Sequence, residues 1–100
     1  MKDIRYIELF DIYSPLLTKK QAGLFEAYYS FDLSLSEIAS ENGVTRQSVA
    51  DSLKKTRLEL DGFEKKLGIL SLKQSLRSLE KDLDETARKR LSEILDEAGK

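Results

Sequence analysis

Apolar residues recur at helical spacing along almost the whole chain, and the alternating pattern of β-strands is nearly absent. The first helix is predicted over roughly residues 3–13. Its apolar side comprises Ile4, Ile7, Phe10 and Ile12. The dipeptide Ser14-Pro15 ends this helix, because proline disfavours helical backbone at the residue before it. The pattern as a whole predicts six helices and therefore an all-α fold.

Two capping boxes mark the starts of the second and third helices. Thr18 is followed by Gln21, and Ser34 is followed by Glu37. At this spacing the two side chains of each box can satisfy backbone amides of the first helical turn. The third helix is short and ends near residues 42–43, where glycine can adopt the left-handed conformation that terminates a helix.

The fourth helix is predicted to begin at Thr45, which is a good N-cap residue, and to continue to Leu67. Its apolar stripe consists of Val49, Leu53, Leu60, Phe63 and Leu67. This spacing keeps one face of a single helix buried. Gly62 lies inside the helix, so a bend or a break there stays open.

The residues after Gly68 predict a C-terminal helical hairpin. One leucine seam comprises Leu72, Leu76, Leu79 and Leu83. Asp84 is placed to cap the last helix, whose seam comprises Ala87, Leu91, Ile94 and Ala98. We therefore expect a domain with a long fourth helix over residues 1–70. The hairpin over residues 71–100 is expected to pack on it or to form a dimer contact.

The short helices on either side of Gly43 predict a helix-turn-helix. Such a pair needs a small residue where the two helix axes approach, which Ala39 supplies, and a turn residue that tolerates positive φ, which Gly43 supplies. The shared core is expected to contain Ile38, Val44, Val49 and Leu53. Asn42 departs from this pattern, because an apolar residue usually precedes the turn glycine.

In helix-turn-helix proteins that bind DNA, the N-terminal end of the second helix enters the major groove. Here that end comprises Thr45, Arg46, Gln47 and Ser48. Arginine can bind guanine through two hydrogen bonds and glutamine can bind adenine in the same way, while the hydroxyl groups suit phosphate. These four residues are therefore candidates for nucleic-acid binding.

Further along the same helix, Lys54, Lys55 and Arg57 are candidates for contacts with the nucleic-acid backbone. Helical rotation places Gln47, Asp51 and Lys54 opposite the apolar stripe, so they should be exposed. Asp51 would repel phosphate. A helix-turn-helix used only for folding or for protein contacts therefore remains an alternative.

Composition narrows the class of protein. The chain has 100 residues, a formal net charge of -1 and no Cys or His. These absences exclude thiolate and imidazole chemistry, and the scattered glycines form no nucleotide-binding loop. We expect no enzymatic activity, no metal and no cofactor. No apolar run approaches the ~20 residues of a membrane span, and no secretory signal begins the chain, so a cytoplasmic protein without membrane insertion is expected.

Leu58 falls almost opposite the apolar stripe of the fourth helix. A single exposed leucine is ordinary. Because a leucine-rich hairpin follows, Leu58 could also lie under the hairpin or in a subunit interface. A homodimer is therefore a hypothesis, and a protein-interaction module is an alternative function.

Residues 16–69 resemble the YlxM family, small all-helical bacterial proteins with a helix-turn-helix similar to region four of sigma factors. The matching segments are residues 16–21, 28–29, 34–39, 44–49, 51, 53–56 and 64–68. The resemblance implies a DNA-binding regulator. It also implies a role in the signal recognition particle pathway, with which the family is associated through gene neighbourhood. DNA, or the particle's RNA or protein, would then be the partner. A transcription regulator unrelated to targeting is the alternative.

Overall fold

The computed structural model describes residues 2–97, and over that range the chain is helical with no β-strand. The helices are α1 (Ile4–Tyr13), α2 (Lys19–Tyr29), α3 (Leu35–Asn42), α4 (Arg46–Leu67), α5 (Ile69–Leu79) and α6 (Glu85–Glu97). Two single 3₁₀ turns, Ser14–Leu16 and Glu80–Asp82, follow α1 and α5. The all-α fold expected from the sequence is confirmed.

Local hydrogen bonds set the starts of α2 and α3, as the capping boxes predict. Thr18 Oγ1 accepts a hydrogen bond of 3.1 Å from the Gln21 amide, and Gln21 Oε1 accepts one of 3.0 Å from the Thr18 amide. Ser34 and Glu37 form the same reciprocal pair, with both bonds 3.0 Å long. Each box satisfies two amides that a helix start otherwise leaves unpaired.

The long helix α4 is the centre of the fold, and α1, α2 and α3 all pack against it. The buried side of α4 comprises Val49, Leu53, Thr56 and Leu60. The neighbouring helices contribute Leu9, Tyr13, Phe25 and Ile38 to the same core. Aromatic rings reinforce the contact between α1 and α2, since Phe10 stacks on Phe25 with ring centroids 4.9 Å apart. The helix is continuous through Gly62, without a break.

Two expectations about burial are wrong at the ends of the core. Leu67 is 57% exposed, because it is the last residue of α4 and Gly68, with φ 64°, turns the chain there. On α1, Ile4 is exposed, and the fully buried residues are Leu9 and Tyr13. The face of α1 that meets α4 is thus rotated from the apolar side that the sequence pattern indicates.

The hairpin begins earlier than expected, because α5 starts at Ile69, directly after Gly68. Leu70 joins the core through the side of α5 that packs against α1. The predicted leucine seam lies on the other side of α5. Leu72 and Leu79 are exposed whereas Leu76 and Leu83 are half-buried, so the seam as a whole does not form a buried bundle core.

The last helix begins as predicted, because Asp84 Oδ1 accepts a hydrogen bond of 2.8 Å from the Ala87 amide. Its predicted seam is partly wrong, since Ile94 is 56% exposed and Leu95 is buried. Leu95 faces inward because α6 lies against α5 and the turn before it, and that contact selects the side of the helix. Ala98, the last residue of the predicted seam, lies outside the described residues.

Over residues 2–97, no helix has both the length and the apolar character that crossing a membrane requires.

Candidate nucleic-acid interface

A sharp turn at Gly43 joins α3 to α4. Gly43 has φ 63° and ψ 33°, the left-handed conformation predicted for it. Its amide and the amide of Val44 donate hydrogen bonds to carbonyl groups of α3, and the bond from Val44 to Ala39 is 3.0 Å long. These bonds are the usual way to satisfy the last carbonyl groups of a helix. The chain then enters α4 in a new direction.

The core beneath the turn contains Ile38, Ala39, Val49 and Leu53, all buried as expected. Val44 is the exception. It is 40% exposed, so it is not part of this buried core, contrary to the prediction. It lies in the turn immediately after the left-handed residue, and its side chain lines a surface groove between α2 and α4. The small side chain of Ala39 is buried in α3, where the prediction required it.

Asn42 replaces the apolar residue that usually precedes the turn glycine, and the structure accommodates the amide without burying it. The Asn42 side chain is exposed, and its Nδ2 donates a hydrogen bond of 2.7 Å to the carbonyl of Ile38. The substitution therefore leaves the turn geometry intact, because the amide caps its own helix at the surface.

The start of α4 presents its four candidate residues to solvent. Thr45 is the N-cap, and its Oγ1 accepts a hydrogen bond of 3.0 Å from the Ser48 amide. Arg46, Gln47 and Ser48 are exposed in the first turn. Gln47 is not free, because its Nε2 donates a hydrogen bond of 2.9 Å to Asp51 Oδ1. Arg46 has no ion-pair or hydrogen-bonding side-chain partner among residues 2–97.

The three basic residues proposed for contacts with the nucleic-acid backbone differ in their exposure and in their partners. Lys54 and Lys55 are exposed, and neither forms an ion pair within the described part of the chain. Arg57 is half-buried, and its guanidinium donates a hydrogen bond of 3.3 Å to the hydroxyl of Tyr29. Arg57 therefore contacts α2, whereas Lys54 and Lys55 remain available to a ligand.

Sequence reasoning missed two lysines on α2 that lie beside this surface. Lys19 and Lys20 are exposed in the first turn of α2. Lys20 lines a groove together with Ser48 and Ser52 of α4. The capping box at Thr18 located this first turn, but no local pattern shows that it lies next to the start of α4, since that proximity depends on tertiary packing.

Acidic groups limit the positive character of the surface. Glu37, Glu41 and Asp51 are exposed on α3 and α4. Hydrogen bonds from the backbone and then the side chain of Ser34 hold the pKa of the Glu37 carboxyl below its ordinary value, so it stays ionised near neutral pH. No group of three or more His, Cys, Asp or Glu residues that could hold a metal ion occurs in the described part of the chain.

The left-handed turn, the two packed helices and the exposed start of the second helix define a helix-turn-helix protein. A family model described as "Putative helix-turn-helix protein, YlxM / p13 like" matches residues 1–98. The chain belongs to this family, UPF0122, and the expected family is confirmed.

Curated bacterial relatives carry the same family name. A UPF0122 protein of Symbiobacterium thermophilum is 42% identical over 86 residues, which cover 85% of this chain and 80% of the relative. One from Shouchella clausii is 45% identical over 78 residues, covering 78% and 72% respectively. One from Lactiplantibacillus plantarum is 48% identical over 66 residues, covering 66% of this chain and 57% of the relative. The match thus spans less than two thirds of that last protein.

Proposed function

We propose that this protein is a non-enzymatic regulator that binds duplex DNA through the N-terminal end of α4. The observation that carries the proposal is the exposed, unpaired guanidinium of Arg46 in the first turn after the bend at Gly43. A helix start presented in this way can enter the major groove, and arginine is the side chain that most often binds a guanine edge.

Thr45 and Ser48 supply hydroxyl groups in the same helical turn as Arg46, and Lys54 and Lys55 supply positive charge further along α4. Phosphate contacts of this kind provide most of the affinity and make it dependent on salt. The formal net charge of -1 gives no general attraction to nucleic acid, so the proposed binding depends on this local surface.

A titration of labelled duplexes by fluorescence anisotropy at several salt concentrations tests the proposal. Replacing Arg46 by Ala should weaken binding about tenfold and reduce discrimination between base sequences. Lys65→Ala is the matched control, because Lys65 is exposed on the same helix about 28 Å from Arg46 at 1.5 Å per residue. Failure of the wild-type protein to bind any duplex at low salt would rule the proposal out.

The proposed process is protein targeting by the signal recognition particle in the cytoplasm, and family resemblance supports it. The RNA of the particle is then a second candidate ligand. Because the deep groove of duplex RNA excludes a helix, RNA would be bound through phosphate and shape. Pull-down from a bacterial lysate, with and without nuclease, tests this process. Recovery of the particle's protein or RNA supports it, whereas recovery of DNA alone favours a transcription regulator.

The exposed leucines favour a protein-interaction role for the hairpin as a second candidate, with another copy of this chain as partner. Leu58 is 64% exposed, and the hairpin exposes Leu72, Leu79 and Ile94. Two antiparallel copies of α6 would place basic residues 89–90 of one copy near acidic residue 93 of the other. Residues 1–70 would then bind nucleic acid, and residues 71–100 would form the dimer.

Sedimentation at micromolar concentration tests the dimer. The double variant Leu72→Glu and Leu79→Glu should sediment as a monomer, and since both side chains are exposed, its helical content should be unchanged. A wild-type protein that sediments as an 11.4 kDa monomer would eliminate the dimer.

A further inference from the structure

The flank of α4 that faces α2 carries a row of polar groups, which continues onto the first turn of α2. We propose that Lys20, Ser48, Ser52 and Lys55 bind consecutive phosphates of one nucleic-acid strand beside the recognition helix. This inference rests on the proposed function, because it identifies where the backbone of the bound duplex would lie. We call these four residues the α2–α4 phosphate row.

A groove between the two helices brings three of these four residues together. It has a volume of about 140 Å³, and Lys20, Ser48 and Ser52 line it with Asn42 and Val44. The turn that joins α3 to α4 thus closes one end of the groove. The groove presents an ammonium and two hydroxyl groups, which are donors that suit a phosphodiester oxygen.

Helical geometry extends the row along α4. Ser48, Ser52 and Lys55 are spaced by four and three residues, so they lie on one flank of the helix. A hydrogen bond from Gln21 Nε2 to Glu59 Oε2 shows that α2 packs along this same flank. Lys20 lines one groove with Asn42 and Ser48 and a second with Glu41 and Asn42, so it lies at the end of the row nearest the helix-turn-helix.

The row itself carries two positive charges, on Lys20 and Lys55, and no carboxylate. Among the described residues, Lys20 and Lys55 form no ion pair. Three acids lie beside the row: Glu41 lines a neighbouring groove with Lys19 and Lys20, and Asp51 and Glu59 lie one helical turn before and after Lys55. The ammonium groups of Lys20 and Lys55 are therefore the charges that the row itself presents to a ligand. A surface of this kind favours an extended phosphate backbone over a cationic or apolar ligand.

The α2–α4 phosphate row lies on a different side of α4 from Arg46 and Gln47, the residues proposed to contact bases. At 100° per residue, Gln47 lies about 100° around α4 from Ser48, and Arg46 lies about 200° from it. A base contact should affect binding according to sequence, while a phosphate contact should affect all sequences equally. The two roles can therefore be separated by measurement.

The test compares wild-type protein, Lys20→Ala and Lys20→Arg in anisotropy titrations with several 20-base-pair DNA duplexes of unrelated sequence. Lys20→Ala should weaken binding about fivefold to tenfold on every duplex, and the log-log salt slope should fall in magnitude by about 0.9. Lys20→Arg should restore both, since it keeps the charge. Lys65→Ala controls for loss of a remote positive charge and should leave affinity and slope unchanged.

The outcomes distinguish this inference from the proposed function. If the wild-type protein binds duplexes but Lys20→Ala retains its affinity and salt slope, the α2–α4 phosphate row is wrong and the proposed function stands. A loss confined to one duplex sequence also overturns it, because phosphates carry no direct base information. If the wild-type protein binds no duplex at low salt, both the proposed function and the row fail.

Discussion

The hydroxyl of Tyr13 on α1 donates a hydrogen bond of 2.6 Å to Glu64 Oε1 on α4. The same carboxylate accepts hydrogen bonds of 2.9 Å from the Leu70 amide and 3.0 Å from the Ser71 amide at the start of α5. Glu64 thus caps a helix that has no capping side chain of its own. One carboxylate joins α1, α4 and α5, and it fixes the direction in which the hairpin leaves the fold.

Replacing Glu64 by Ala should destabilise the protein by about 2 kcal/mol, because two helix-start amides and a buried hydroxyl lose their acceptor. For a domain of this size that corresponds to a fall in Tm of about 10 °C. Tyr13→Phe removes one of these bonds and should cost about 1 kcal/mol. Thermal unfolding followed by circular dichroism measures both values. Lys65→Ala, the adjacent exposed substitution, should change Tm little, and an equal fall there would contradict the capping role.

Acid should remove the contribution of Glu64. Burial raises the pKa of this carboxyl, but hydrogen bonds from Tyr13, Leu70 and Ser71 outweigh burial and hold the pKa below its ordinary value in the folded protein. The stabilisation is therefore fully present above the ordinary pKa that the carboxyl has in the unfolded chain, and it is lost as pH falls through the lower, folded pKa. Urea unfolding at pH 7 and pH 3 should show that Glu64→Gln is less stable than wild type at pH 7. The difference should shrink at pH 3, and a difference independent of pH would contradict this.

The turn glycine should not tolerate a side chain. Replacing Gly43 by Ala should destabilise the protein by about 1–2 kcal/mol, because its φ of 63° is strained for any residue with a Cβ atom. Gly62→Ala is the matched control, since an added Cβ has no atom within 4 Å at either position and Gly62 has ordinary helical φ. That variant should be more stable by up to about 1 kcal/mol. Chemical denaturation compares the two, and equal effects would mean that backbone conformation does not matter here.

Local sequence patterns predicted the features of the fold that depend on neighbouring residues. The caps at Thr18, Ser34 and Thr45 and the left-handed turn at Gly43 each involve side chains and amides within a few residues. Such interactions are readable from spacing alone. The helix-turn-helix, which is assembled from these local elements, was therefore predictable with its bounds.

Features that depend on contacts between distant segments were not predictable. Leu95 is buried and Ile94 is exposed because of how α6 lies on α5, and both residues fit a helical apolar pattern. Arg57 turns towards Tyr29, 28 positions away in the chain, so its charge is not presented like that of Lys54. Lys20 joins the candidate surface for the same reason, through the packing of α2 on α4.

Asp51 should weaken the proposed binding of nucleic acid. Its exposed carboxylate lies one helical turn after Gln47 and accepts the hydrogen bond from that side chain. The carboxylate therefore repels phosphate. It also holds the side-chain amide of Gln47 in a hydrogen bond, and that amide could otherwise bind adenine. Asp51→Asn removes the charge but keeps an oxygen that can accept from Gln47. Duplex affinity at low salt should rise about threefold to tenfold, and the gain should shrink as salt increases.

The matched control for Asp51→Asn is Glu93→Gln, which makes the same change in net charge on the exposed face of α6 in the hairpin. Anisotropy titrations at two salt concentrations compare the variants with wild type. If Glu93→Gln raises affinity as much as Asp51→Asn, the effect comes from total charge, and the recognition surface is not at the start of α4. A gain confined to Asp51→Asn supports binding at that surface, because screening limits the reach of a single exposed charge to about 10 Å at 0.1 M salt.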